Sequence, residues 1–343
     1  MQISPETALE QATEHHLSGR YELARDLYEY VIDVNPDSAR AHMNLGMLLL
    51  LHGDFEAGWR EFSWRRHGQP GQLAAWDGRP LTGEGVLIRG EQGAGDNIQF
   101  LRYVPVIKRA GGRPAVLTRP GMKRLIQSFD ADLAVFEPGE QVSDLAFEVA
   151  VMDLPGLSKT TLSTIPAEVP YMSAEPGLMA EWGNRLGPPA GRRIGLCWQG
   201  NPDKPRDKLR SIPLTDFAPL IETPGTEWYG LQVGPGEEQV PGFRHIGKFT
   251  HLGGRLGASS DHFVDAAAAM TELDLVITVD TAIAHLAGAL ARPVWILLPH
   301  NPDWRWLLER DDSPWYPTAR LFRQADAGDW SVPLAAIAAA LRQ

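Results

Sequence analysis

The apolar and polar positions divide the chain into three stretches of different period. Residues 1 to 67 read as helical and repetitive: Gly19 and Gly53 lie 34 residues apart, and at the same offset Tyr21 matches Phe55, Ala24 matches Gly58 and Tyr28 matches Phe62. This predicts two helical hairpins. Two repeats are too few for an independent solenoid, so they are expected to pack on the next domain or on a second subunit through Trp59, Phe62 and Trp64.

Residues 68 to 83 are rich in turn residues and read as a linker. From 84 to 176 strands and helices alternate. VLIR is a strand, GEQGAGD a glycine-rich turn, and NIQFLRYVPVIKRA a helix with Ile98, Leu101 and Ile107 at core spacing. Strands follow at Ala115 to Thr118, Leu133 to Phe136 and Phe147 to Met152, with a helix from Met122 to Phe129. Pro166, Pro170 and Pro176 mark a crossing to a second domain, 177 to 343. It carries strands at Arg193 to Trp198, Glu227 to Gln232 and Arg320 to Arg323, and helices at Pro213 to Glu222, Asp261 to Glu272, Trp304 to Leu308 and Val332 to Leu341. Such alternation predicts parallel sheets with crossover helices.

The most informative unit is LDLVITVDTAIAHLAGALARPVWILL, from Leu273 to Leu298. A strand (Leu275 to Val279) runs through a polar turn into a small-residue helix (Ala282 to Ala291), and Pro293 opens a second strand. Thr278, Asp280 and Thr281 cluster at the carboxyl edge of the sheet, where the free amides of the helix make an anion site. Ala282 opens that helix, and His285 shares a face with Thr281. The plainer reading makes Thr281 or Asp280 an N-cap and His285 a packed side chain. In the amino-terminal domain, Gln92, Gly93 and Gly95 form the turn before Asp96. That carboxylate is either a helix cap or a general base. The basic loop Lys204, Arg206, Lys208, Arg210, with Ser211, follows a strand on the phosphate-site edge; otherwise it is solvated surface.

Composition narrows the classes. A net charge of −11 argues against non-specific nucleic-acid binding. The longest apolar runs are too short to span a bilayer, and Glu6, Glu10 and Glu14 stand where a signal peptide would be apolar, so a cytoplasmic protein is expected. The single cysteine, Cys197, reads as a buried strand thiol. No HExxH or DxD-type pair suggests a metal. Gly-Ala-Gly lacks the third glycine of a dinucleotide fingerprint, so no nicotinamide cofactor is expected.

The block DLVITVDTAIAHLAGALARPVW resembles the carboxyl-terminal nucleotide-sugar site of the lipopolysaccharide heptosyltransferases. GAGDNIQFLRYVP resembles their amino-terminal G-D-x-x-x-x-x-x-P stretch with looser spacing, and KLRSIP their basic loop. Leu45-Gly46 and the 34-residue period resemble a tetratricopeptide repeat. The resemblance implies an α/β architecture, a GT-B-like pair of Rossmann-like domains preceded by a short all-α repeat segment. It implies Asp96 as catalytic base, with Thr281, Ala282 and His285 at the donor diphosphate and Lys208 and Arg210 beside it. A nucleotide sugar is then the donor substrate, with no metal or other cofactor. The acceptor is a glycan or protein hydroxyl, and the helical repeats serve a protein partner or self-association. Two other classes are an epimerase of the same fold and a non-catalytic repeat scaffold. Alanine replaces the usual glycine after Asp280-Thr281, and the amino-terminal domain is shorter than the family's.

Overall fold

The computed structural model describes residues 3–69, 71–204, 207–243, 249–257 and 261–343. Four helices open it: α1 (Pro5–Leu17), α2 (Tyr21–Val34), α3 (Ala39–Leu51) and α4 (Phe55–Phe62). They form two hairpins, and the matched glycines sit at the hairpin turns with left-handed φ, +73° at Gly19 and +82° at Gly53. A Cβ on Gly46 would come within 2.4 Å of the Phe62 backbone nitrogen, which is why α3 and α4 can cross so closely.

Two parallel sheets follow. In the amino lobe the strands are β1 (Ala74–Ala75), β2 (Gly85–Arg89), β3 (Arg113–Leu117), β4 (Ala134–Phe136) and β5 (Phe147–Ala150), ordered β1-β5-β2-β3-β4. In the carboxyl lobe they are β6 (Arg192–Cys197), β7 (Thr226–Gly230), β8 (Phe249–His251), β9 (Leu275–Val279), β10 (Val294–Leu298) and β11 (Ala319–Arg323), ordered β11-β10-β9-β6-β7-β8. All five residues of β9 are buried, as a central parallel strand covered on both faces requires.

Several sequence expectations need correction. The segment 68–83 is not a free linker: Ala74 and Ala75 pair with β5, and Trp76 and Leu81 are buried. The long helix expected after the glycine-rich turn is three pieces. Helix α5 (Ala94–Phe100) starts earlier, a 3-10 turn spans Leu101–Tyr103, and a helix resumes at Val104–Arg109. Pro105 explains the break, because it has no N–H to donate back along the helix. Likewise the expected helix at Pro213 to Glu222 is a 3-10 turn, Leu214–Phe217, followed by one α-turn, Ala218–Ile221, with Pro219 at the start of the latter.

One apolar core runs through all three parts of the molecule. It joins Leu50, Phe55, Trp59 and Phe62 of the helical segment to Phe100 and Tyr103 of the amino lobe and to Trp304, Trp315 and Tyr316 of the carboxyl lobe. A second cluster, centred on Trp198, Phe217 and Trp228, fills the other face of the carboxyl-lobe sheet. Trp59 and Phe62 thus pack where expected, with ring centroids 5.3 and 5.9 Å from that of Trp304. Trp64 instead stacks on His42 and His67 within its own segment. Arg65 completes the attachment, its buried guanidinium bonding Glu91 and Asp153 of the amino lobe. Among the described residues no helix is long and apolar enough to cross a membrane.

Candidate active site

The carboxyl ends of the two sheets face each other across a cleft of about 960 Å³. The amino lobe contributes Gln92, Gly93, Ala94, Gly95, Asp96 and Arg119. The carboxyl lobe contributes, among others, Cys197, Gln199 to Asn201, Lys204, Asp207, Arg210, Asp280 to Ile283, His285, Asp303 and Arg305.

On the carboxyl-lobe side, Thr281 is the N-cap of the helix Ala282–Ala289, its hydroxyl accepting the Ile283 N–H at 3.3 Å. The hydroxyl is therefore partly spent on the cap, and Ala282, the first residue of that helix, lines the cleft. Thr278 is fully buried, with its hydroxyl 3.2 Å from that of Thr281, and it supports the turn without lining the cleft. Arg210 donates to the Asp280 carbonyl at 2.6 Å and to Asp207 at 3.1 Å, binding the basic loop to the turn. The Ser211 hydroxyl donates to Asp207 at 2.9 Å and accepts the Gly200 N–H at 3.1 Å, so it shapes the loop, and it does not line the cleft. Lys208 is exposed and lies off the cleft, whereas Lys204 lines it. Lys208 sits in the one-turn helix Asp207–Arg210, whose consecutive side chains point in different directions, so it turns from the cleft that Asp207 and Arg210 line. Arg206 falls outside the described residues.

Behind the loop, the Gln232 carboxamide accepts from the Trp198 and Gln199 amides and donates to the carbonyls of Gln199 and Pro235. That network fixes the ends of β6 and β7 together. Burial pushes the Cys197 thiol up, which keeps it protonated and unreactive.

His285 follows the plainer of its two readings. It is buried against Trp306, with its Nδ1 2.9 Å from the Tyr316 hydroxyl, and burial and nearby arginines lower its pKa to about 3. It carries no charge at neutral pH and gives a diphosphate no cation. Burial and the neighbouring Asp303 raise Asp280 to about 6, against the pull of Arg210. These two shifts have opposite linkage. An unfolded chain protonates His285 below about pH 6.5 while the folded one does not, so that contribution is lost as pH falls. Asp280 holds its proton more tightly when folded and works the other way. Comparing His285→Gln with the parent cancels the Asp280 part. Between pH 7 and 4.5 the parent should lose about 2–3 kcal/mol more stability than the variant, measured by thermal unfolding. Parallel pH curves would rule out a buried neutral histidine.

On the amino-lobe side, Gly93 is the N-cap of α5 and its N–H donates to Asp96 Oδ2 at 2.7 Å, so Asp96 does cap its helix. Its Oδ1 accepts from Arg305 of the carboxyl lobe, and the carboxylate still borders the cleft. Burial raises its pKa, and Arg305 opposes that rise. Gln92 takes a left-handed φ of +56° at the turn. Gly95 has a different role from the loop contact expected: a Cβ there would lie 2.6 Å from His285 Cδ2 and 3.4 Å from Ala282 Cα, so the missing side chain lets the two helices meet across the cleft. Arg119 and Lys204 add cations on opposite walls. Arg119 was not anticipated, since nothing beyond its place after β3 distinguishes it in the sequence.

No protein-family model matches the chain. It is 27% identical over 340 residues to Protein FlbA of Caulobacter vibrioides, an alignment covering 89% of this chain and 55% of that protein. The chain therefore spans about half the length of the curated relative it matches. Among solved structures it is similar to a family 9 glycosyl transferase from Veillonella parvula, with TM-score 0.53 and 11% identity over 73% of this chain and 88% of that one. It is equally similar to the ADP-heptose lipopolysaccharide heptosyltransferase II of E. coli, with TM-score 0.53 and 13% identity over 75% and 97% of the two chains. The fold is that of a GT-B glycosyltransferase. At such identities the likeness concerns the two-lobed architecture, and in this chain a helical segment precedes it.

Proposed function

We propose that the chain is a glycosyltransferase that moves a sugar from a nucleoside-diphosphate donor to an acceptor hydroxyl, without a metal and with inversion at the anomeric carbon. The observation that carries this is the pairing across one cleft of a helix entrance flanked by Arg210 and Lys204 with the carboxylate of Asp96. Asp96 takes the acceptor's proton as the new bond to the anomeric carbon forms and the bond to the diphosphate oxygen breaks. The charge left on the diphosphate is met by the Ala282 amide, the helix dipole and the two cations. In this reading the two cations and the helix entrance do the work that a metal would otherwise do. We read the four amino-terminal helices as a pair of tetratricopeptide-type hairpins whose outer face serves a protein acceptor or partner.

A thermal-shift panel of UDP, ADP, GDP and CDP tests the donor site. A ligand that binds only the folded chain raises its midpoint, by about 2.7 kcal/mol of stability at a hundredfold excess over Kd. Lys204→Ala should weaken the responding nucleotide about tenfold, as loss of a charged hydrogen bond does, and the exposed Lys208→Ala should leave it unchanged. A flat response to all four nucleotides would leave a non-catalytic scaffold as the better reading.

A further inference from the structure

The turn between β10 and β11 carries a side chain of the cleft that bonds both lobes. Arg305 is buried, 6% of its side chain exposed, and all three of its nitrogens are used. Nε donates to Gln99 Oε1 at 2.6 Å, Nη1 to Asp303 Oδ1 at 2.7 Å, and Nη2 to Asp96 Oδ1. Its guanidinium lies 4.3 Å from the Trp304 ring centroid and 5.4 Å from that of Phe100. Gln99, Asp96 and Phe100 belong to α5 of the amino lobe; Arg305, Trp304 and Asp303 belong to the carboxyl lobe. The ion pair therefore exists only while the lobes are together.

The same turn is held from a third side. Asn301 donates to the His16 carbonyl at 2.8 Å and accepts from the Tyr21 hydroxyl at 3.2 Å, and Trp304 packs against Trp59 and Phe62. The position of Arg305 is thus set by the helical segment as well as by the two lobes.

The geometry points to Arg305 as a positioning residue that turns Asp96 into a usable base only in the assembled cleft, an inference that rests on the reading of Asp96 as the base. A carboxyl group at this depth favours its neutral form, and two neighbouring carboxylates, Glu91 on its own loop and Asp303 on the opposing turn, push the same way. Arg305 is the cation that counters them. His285, on the helix facing Gly95, is uncharged. The Gly93 amide supplies the remaining support for the anion. Each carboxylate oxygen accepts one hydrogen bond here and has a second lone pair for an incoming hydroxyl, so the base is oriented without being closed off.

The test follows the Asp96 carboxyl itself. The intact chain, carrying [γ-13C]aspartate, is titrated by NMR, with the Asp96 signal assigned by its loss in Asp96→Asn. In Arg305→Gln the midpoint should rise by about one pH unit or more. In Arg305→Lys it should rise less, because the ammonium keeps the charge, although it cannot reach Asp96, Asp303 and Gln99 together. A midpoint unmoved in both variants overturns the proposal, as does an unmoved midpoint combined with loss of the nucleoside-diphosphate thermal shift, which would make Arg305 a ligand contact. Should Arg305→Gln fail to fold, the lysine variant decides alone. The titration needs no substrate, so its outcome is independent of whether transfer is ever observed, and a failure of the base assignment is read separately from Asp96→Asn turnover.

Discussion

Asp96→Asn should lower sugar transfer by about 10²–10⁴-fold, the usual worth of a positioned general base, while leaving nucleoside-diphosphate binding close to that of the parent. The split is expected because Asp96 and the proposed phosphate contacts sit on opposite lobes. Asparagine keeps one oxygen, which can still accept from Arg305 while its NH2 replaces the oxygen that capped the Gly93 amide, and Arg305 keeps Asp303, so the substitution loses the cap bond but does not strand a buried cation. Steady-state transfer or donor hydrolysis reads the first quantity and calorimetry with the responding nucleotide reads the second. Turnover near that of the parent, with binding intact, would remove Asp96 from the chemistry.

The second large effect is on the assembly. Trp304 is buried where the three parts of the chain meet, against Trp59 and Phe62 of α4, Phe100 of α5 and Trp315 of its own lobe. Trp304→Ala should cost about 3–5 kcal/mol, because rigid neighbours on three sides cannot collapse into the space it leaves. Denaturant unfolding, followed by a probe in the helical segment and one in the carboxyl lobe, measures the loss. It also shows whether the helices then unfold separately. A cost below about 1 kcal/mol would mean that the aromatic junction contributes little beyond filling space.

The parts of the site written in consecutive residues were legible in the sequence. The strand, polar turn and thin helix around Asp280 and Thr281 form one local unit, and the glycine-rich turn before Asp96 forms another. Both acquire their position from the general geometry of parallel sheets. What could not be read is what depends on meetings between distant segments. Arg305 and Asp96 are 209 residues apart, and in sequence Arg305 is indistinguishable from an ordinary turn residue. His285 matched a ligand position by spacing, yet its charge is set by burial against Trp306 and Tyr316 and by three arginines that only the fold brings near. Lys208 and Lys204 are equivalent as letters in a basic loop, yet only Lys204 lines the cleft. Strand β1, two residues long, was hidden for another reason: it is too short to show a period.

The attachment of the helical segment bears on how fast this protein can exchange what it binds. Swinging the lobes apart would uncover the rings around Trp304, part Arg305 from Asp96, and require the helices to let go of either the Glu91–Asp153 side or the Asn301 side. If these losses sum to about 5.5 kcal/mol, only one molecule in roughly 10⁴ gapes at any moment. On the proposed reading, a partner that gripped the outer face of the helices would act as a governor on product departure, setting the pace of turnover from outside the cleft.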